Sequence, residues 1–391
     1  MQEVIEATGE VNKHLASEVE RLNDENFSLK NHIRRLTKHI KETKIQHSQT
    51  VEEEEEERTC NDRSRHEKAE PVDEEAETAP EVNSSKPSAE EWTRLQKLII
   101  DGNVAIDYSD LIEGTLLGEG TYGKTYKGVW RGAECAIKKV ELREGAVESF
   151  TREVQALACI RHPNVLALYG ACVQPPESCL LVTEYLSGGS LNDAIHGKGQ
   201  VRLGRKPLSV RLQILADVAS GMTALEQHSP PIVHRDLKPS NVLLDGGLRA
   251  KVSDMGLARI LDEDALVSLT PETGSYLYMA PEVVCHCAYA TQADVWSWAC
   301  LASEVLTLQR PYARRLLTPI QVAVNVAKGK IKPDIPPETP PKLAAIMQAC
   351  FRSERTSRPT FSEISAVMNS VMAEQPLREK KARSQKWGQC F

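Results

Sequence analysis

The strongest constraint on this chain is a pair of polar segments in fixed order, His234-Arg235-Asp236-Leu237-Lys238-Pro239-Ser240-Asn241 and then Asp254-Met255-Gly256. Together they offer a carboxylate that can accept a hydroxyl proton, a lysine that can meet a transferring phosphoryl group, and two oxygen ligands suited to Mg²⁺. Singly the residues carry little. An Asp with an Asn five residues on is common in turns, and a lone His-Arg-Asp is more often a salt-bridged surface corner. The ordered set carries the inference.

The length of 391 residues leaves room for two or three domains and a large core. The net charge of −7 is unevenly spread. Residues 52–81 hold fourteen Asp/Glu against four Lys/Arg, a local balance of −10 that leaves +3 for the rest. No apolar run approaches the roughly 20 residues needed to cross a bilayer, and the N-terminus lacks the apolar core of a signal peptide. We therefore expect no membrane association and a cytoplasmic location, with the nucleus also open. The ten cysteines then read as reduced, mostly buried thiols.

Residues 1–45 carry a heptad pattern. Leu15, Leu22, Leu29 and Leu36 take d positions, with Asn12, Val19, Asn26 and Ile33 at a. Asparagines at a favour an in-register pair, and Glu25 at g would attract Lys30 at e of a parallel partner. The expectation is a leucine-zipper-like parallel homodimer; the alternative is an amphipathic helix lying on its own domain. No basic region precedes the leucines, so no nucleic-acid partner is expected. Residues 46–89 read as an acidic disordered linker. Over 90–107, Trp92, Leu95, Leu98 and Ile99 are spaced for a short helix that packs on the domain C-terminal to it.

Leu117, Gly118, Glu119, Gly120 and Gly123 form a G-x-G-x-x-G pattern, weak by itself. A dinucleotide-binding turn would need a helix straight after it, whereas Thr125, Lys127 and Val129 alternate as a strand, so a hairpin fits better. Lys138 lies in a strand-like run from Glu134 to Val140, and Glu153 lies in a helix-spaced segment directly after Arg152, which leaves a surface pairing open.

With these motifs in order, residues 108–373 resemble a eukaryotic protein kinase of the Ser/Thr type, most like the tyrosine-kinase-like group with its mixed-lineage and Raf-type members. The resemblance implies an α+β bilobal fold, with a β-rich N-lobe and a helical C-lobe, here preceded by the N-terminal α-helical coiled coil and followed by a basic flexible tail at 374–391. It implies ATP and Mg²⁺ as cofactors and proteins as substrates. Asp236 would be the base, Lys238 would neutralise the transferred phosphoryl group, and Lys138 paired with Glu153 would hold the nucleotide's phosphates. Asn241 and Asp254 would ligate metal. Leu117, Gly118, Glu119, Gly120, Gly123, Thr125, Ala136, Thr183, Glu184, Leu186 and Leu243 would line the nucleotide site, Thr183 as gatekeeper. Ser275 would contact Asp236 and Lys238, Glu282 would pair with Arg358, and Asp294, opening a helix, would anchor the catalytic loop. Ser268, Thr270 and Thr273 are candidate phosphorylation sites. The rival reading is a pseudokinase or coiled-coil scaffold. Removing residues 1–45 is expected to convert a dimer into a monomer by sedimentation; an unchanged mass would favour the intramolecular helix.

Overall fold

The computed structural model describes residues 89–120, 123–141, 146–174, 178–197, 201–260, 275–285 and 290–388. The coiled coil expected over 1–45, the acidic linker up to residue 88, and Ser268, Thr270 and Thr273 lie outside the described residues. In the N-terminal half, α1 (Ala89–Asp101) precedes β1 (Leu111–Gly120), β2 (Gly123–Trp130), β3 (Ala133–Glu141), α2 (Ala146–Cys159), β4 (Leu168–Gln174) and β5 (Ser178–Glu184). The strands form one antiparallel sheet in the order β1-β2-β3-β5-β4.

The second half is mostly helical. It contains β6 (Gly189–Ser190), α3 (Leu191–His196), α4 (Leu208–Glu226), β7 (Ile232–Val233), β8 (Val242–Leu244), β9 (Ala250–Val252) and β10 (Arg259–Ile260). These are followed by α5 (Pro281–Val284), α6 (Thr291–Thr307), α7 (Pro319–Ala327), α8 (Pro341–Cys350) and α9 (Phe361–Gly388). β6, β8 and β9 make a small sheet, and β10 pairs with β7. The architecture is therefore bilobal, with a β-rich first lobe and a helical second lobe.

Helix α6 is buried on every side from Ala293 to Leu306, the pattern of a helix enclosed by its own domain. Its Trp296 meets Phe351 edge-on at 5.1 Å. The sequence placed the start of this helix at Asp294, but it begins at Thr291 after Ala290. Asp294 thus sits inside the first turn and caps nothing, which leaves its carboxylate for another task. At the other end, α9 runs on to Gly388, through the stretch expected as a loose tail from 374. The helix passes through Pro376, and beyond it Leu, Arg, Glu, Lys, Ala and Gln, which favour the helix, dominate.

The segment ahead of the sheet belongs to the same compact unit. Trp92, Leu95 and Ile99 of α1 are buried in one core with Phe150, Val154 and Leu157 of α2. Residues 104–106 then run parallel to β4: the Ile106 N–H donates to the Ala171 carbonyl at 3.0 Å, and the Ala171 N–H donates to the Val104 carbonyl at 2.7 Å. Ile106 closes a second apolar cluster with Ile137, Leu180 and Val182 on the sheet's outer face.

This approach requires glycine at 170, where a Cβ would strike the Val104 carbonyl and the Ile106 side chain. Gly170→Ala is expected to release residues 104–106 from the sheet edge and cost about 1–3 kcal/mol. Faster hydrogen exchange at the Ile106 amide, with that loss in denaturant unfolding, would bear it out; unchanged exchange would refute it.

Candidate active site

The β1–β2 hairpin brings Gly120 opposite Gly123, so the glycine pattern turns as a hairpin and its tip, Thr121 and Tyr122, lies outside the described residues. Gly123 sits at φ 151°, and a Cβ there would collide with the Lys139 carbonyl, so only glycine fits. Leu117, Gly118 and Glu119 lie on β1, with Leu117 exposed and Gly118 registered against Thr125. Across the sheet, Thr125 stands opposite Lys138, and Ala136 opposite Thr183. Because side chains alternate along strands, these four residues share one face.

On that face the Lys138 ammonium donates to Glu153 Oε2 of α2 at 2.8 Å and lies 3.5 Å from Asp254 Oδ1. Burial would strip the proton from Lys138, but the two carboxylates outweigh it and hold its pKa above the usual lysine value, so the cation persists. Arg152, open in the sequence to a surface pairing, makes one with Glu148 at 3.7 Å and also reaches inward. Its Nε donates to the Gly256 carbonyl at 3.1 Å, and the Ser149 hydroxyl donates to the same oxygen at 3.2 Å. Helix α2 therefore holds both the lysine of the sheet and the backbone beside Asp254.

The connection between lobes carries a polar tie that the sequence did not disclose. Both carboxylate oxygens of Glu184 accept from Lys251 on β9, at 2.7 and 2.9 Å, and Oε1 also accepts the Ala167 N–H at 2.7 Å. The Glu184 N–H is spent on the Ala167 carbonyl. The recognition edge at this connection is the Glu184 carbonyl, which also takes the Thr183 hydroxyl at 3.4 Å, and the Leu186 N–H, the latter without a partner among the described residues. Leu243, on β8, is half-buried below it, paired with Ser190 and Lys251.

The loop from His234 to Asn241 is suspended from α6. Asp294, 1% exposed, accepts the His234 N–H at 2.7 Å on one oxygen and the Arg235 N–H at 2.9 Å on the other. The buried His234 ring donates from Nε2 to the Ser253 carbonyl at 3.0 Å and accepts the Asp236 N–H on Nδ1 at 3.2 Å, an assignment set by the bonding pattern. These bonds hold two non-glycine residues with positive φ, Arg235 at 71° and Asp254 at 61°, each costing on the order of 1–3 kcal/mol.

At the centre, Asp236 Oδ2 meets the Lys238 ammonium at 2.6 Å and the Asn241 amide at 2.9 Å. Its Oδ1 accepts the Ser275 hydroxyl at 2.9 Å, and Ser275 Oγ in turn accepts from Lys238 at 3.1 Å. The Asn241 NH₂ group bonds Asp236, and its carbonyl oxygen accepts the Ser240 hydroxyl at 3.3 Å, a long bond that leaves the oxygen able to take a further partner. Burial pushes the Asp254 carboxyl up, but the Lys138 and Lys238 cations and the Gly256 amide hold it below the ordinary carboxylate value.

Two hard oxygen donors beside a fixed lysine suit a divalent cation whose shell is completed by phosphate oxygens. No cluster of three or more His, Cys, Asp or Glu exists among the described residues to complete it otherwise. Beyond the loop, Glu282 takes a bidentate pair from Arg358 at 2.6 and 2.8 Å, which ties the segment after Ser275 to the C-terminal helices.

The sequence named Asp236, Lys238, Asn241, Ser275, Lys138, Glu153, Asp254 and Asp294, and the structure brings them together. It missed Lys251, Ser149 and the inward turn of Arg152, whose only sequence signal is their place within four residues of Glu153 or Asp254. Glu304 was also missed: it lies fully buried in α6 and takes the Tyr278 hydroxyl at 2.5 Å and His196 Nε2 at 2.8 Å.

Residues 111–368 match the family described as protein tyrosine and serine/threonine kinase. The chain is 37% identical over 273 residues to the Arabidopsis thaliana serine/threonine-protein kinase STY46, covering 69% of this chain and 45% of the relative. It is 38% identical over 259 residues to STY17 of the same plant, covering 65% and 43%. It is 34% identical over 300 residues to mitogen-activated protein kinase kinase kinase 10 of Xenopus laevis, covering 72% and 29%. It thus spans less than half the length of each.

Asp294→Ala would orphan two backbone N–H groups. It is expected to cost about 2–6 kcal/mol in denaturant unfolding; a loss under about 1 kcal/mol would show that the loop stands without its anchor.

Proposed function

The chain belongs to the protein tyrosine and serine/threonine kinase family, and from that we propose that it transfers the γ-phosphoryl group of ATP to Ser or Thr hydroxyls of proteins. The observation that carries the reading is the closed cluster of Asp236, Lys238, Asn241 and Ser275, with Lys138 and Asp254 facing it. Ser/Thr preference is supported by Lys238 and by Ser275, which hold the polar end of the cluster, and by likeness to the STY kinases and to mitogen-activated protein kinase kinase kinase 10. The same likeness supports placement in the tyrosine-kinase-like group.

Mg-ATP, when bound, supplies the phosphoryl group and the charge that the metal offsets. Everything else is positioning by this chain. Asp236 Oδ1, now on the Ser275 hydroxyl, is the acceptor that orients a substrate hydroxyl and receives its proton. Lys238, bridged to both, brings positive charge to the transferring group. Asn241 and Asp254 are the metal ligands, and Lys138, fixed by Glu153, holds the nucleotide phosphates. The Glu184 carbonyl and Leu186 N–H present the adenine edge, with Thr183 as a small gatekeeper and Thr125, Ala136 and Leu243 forming the walls. Met255, fully buried, fills the apolar slot beside the metal loop without a ring.

We further propose that residues 1–45 pair two chains and so raise the local concentration of kinase domains. Ser268, Thr270 or Thr273 of one domain would then be phosphorylated by the other. Among the described residues no helix is long and apolar enough to cross a membrane, in keeping with a role in cytoplasmic signalling.

The test is transfer of labelled γ-phosphate from Mg-ATP to a generic basic protein and to the chain itself, beside Asp236→Asn. Phosphoserine or phosphothreonine should form with the native chain and fall by about 10²–10⁴-fold in the variant. Phosphotyrosine alone would overturn the substrate class. Silence of both, even after treatment with an upstream kinase, would favour a scaffold.

A further inference from the structure

Glu304 is fully buried, and the proposed chemistry leaves it without a task. An ionised carboxylate in that position is sustained only if its oxygens find donors. Both do. Oε2 takes the Tyr278 hydroxyl at 2.5 Å, and Oε1 takes His196 Nε2 at 2.8 Å. Because the partner is a carboxylate, Nε2 carries the proton in this bond. Burial pushes the Glu304 carboxyl up, while the Tyr278 and His196 hydrogen bonds and the Arg310 cation work against it.

The three residues come from three separate elements. His196 is the last residue of α3, which Gly197 ends at φ 73°. Glu304 lies in α6, the enclosed helix that also carries Asp294. Tyr278 follows the turn at 275–277. His196 and Glu304 are 108 residues apart in sequence, so their bond exists only in the assembled lobe.

Tyr278 carries this arrangement to the active site. Its N–H donates to the Ser275 carbonyl at 3.0 Å, its carbonyl accepts the Ser297 hydroxyl at 2.8 Å, and its own hydroxyl is spent on Glu304. Ser275 in turn bonds Asp236 and Lys238. Tyr278 also lines one small cavity together with Asp236 and Ser275. A shift of the Tyr278 ring therefore moves the backbone that borders the reacting hydroxyl. His196 stands at the far end of this line of bonds. With 22% of its side chain exposed, it is the member that can be exchanged without opening the core.

We propose that His196 is a positioning residue for phosphotransfer: by holding Glu304 Oε1 it fixes Glu304 against the Tyr278 hydroxyl, and so sets the segment from Ser275 to Glu282 along which a protein substrate is aligned. This rests on the reading of the chain as a protein kinase and adds to it a residue that touches neither nucleotide nor substrate. Without the His196 donor, Oε1 is buried unpaired, and Glu304 must turn or take up a proton. Turning draws Oε2 away from the Tyr278 hydroxyl, and protonation exchanges a charge-assisted bond for a weaker neutral one. The loss falls on the alignment of the protein substrate. The nucleotide, held by Lys138 and by the connection between the lobes, keeps its contacts.

The test compares His196→Phe, which keeps a ring and loses the donor, with His196→Gln, whose amide places an N–H near the position of Nε2. With the basic protein as substrate, H196F should raise its KM about tenfold. H196Q should stay near the native value, and the KM for ATP should be the same in all three forms. Tyr278→Phe should reproduce the H196F loss, and the double variant H196F/Y278F should be no worse than Y278F alone, since both act on one line of bonds. Hydrogen exchange at the Tyr278 amide reads the same coupling without catalysis; it should be faster in H196F and native in H196Q.

A native KM in H196F would overturn the proposal. So would equal damage in H196Q, marking ring shape rather than the donor, a parallel rise in the KM for ATP, marking a general loosening of the lobe, or additive losses in the double variant. If H196F does not fold, H196N, whose amide stands in for Nδ1 rather than Nε2, takes its place with the same expectations. If no form, the native chain included, transfers phosphate, the kinase reading fails, and exchange at the Tyr278 amide alone decides whether His196 holds the segment.

Discussion

The two bonds that Asp294 accepts from the backbone of His234 and Arg235 are the constraint on which the active site depends. A loop presenting Asp236, Lys238 and Asn241 within hydrogen-bonding distance of one another would not hold that shape alone, since Arg235 beside it and Asp254 facing it sit in the left-handed region. It is held because a buried carboxylate on the most enclosed helix is turned onto its backbone. That carboxylate is itself disfavoured by burial, which raises its pKa, and the two amides stabilise the charge in return. Loop geometry and helix charge therefore depend on each other.

From that anchor, order spreads by short polar links across the lobes. The His234 ring reaches the Ser253 carbonyl, which precedes Asp254; Asp254 faces Lys138; Lys138 is fixed by Glu153; and the helix carrying Glu153 bonds the Gly256 carbonyl through Ser149 and Arg152. The circuit closes on the segment where it began. A second link, Glu184 with Lys251, crosses the connection between the lobes at 18% exposure on each side, where solvent screens it little. A named ion pair thus joins the sheet to the helical lobe beside the chain passing between them.

Much of this was legible in the sequence because the site is built from consecutive residues. Asp236, Lys238 and Asn241 share one loop, and the spacing of the glycines with the alternation at Thr125 and Lys127 excluded a helix after the turn. What could not be read were contacts whose partners are distant in the chain and ordinary in type. Lys251 looks like any solvated strand residue until β9 is placed under Glu184. Arg152 looks like a surface cation until Gly256 arrives beside it. The start of α6 was misplaced because an aspartate before an apolar run resembles a cap, and only the fold shows that three further residues precede it. The continuation of α9 past residue 374 runs through Pro376, which reads in sequence as a helix end, and into a basic run.

The parallel pairing of residues 104–106 with β4 bears on where this folding unit begins. An open sheet ends in a row of unspent amides and carbonyls, to which any extended chain can add. Here the chain caps that row with its own preceding segment, and Ile106 seals the apolar surface beside it. The family match starts at residue 111, beyond this cover. A fragment cut at that boundary would keep every residue of the active site and yet expose the Ala171 edge as a template for a second copy, so its solubility is decided by residues that take no part in its chemistry.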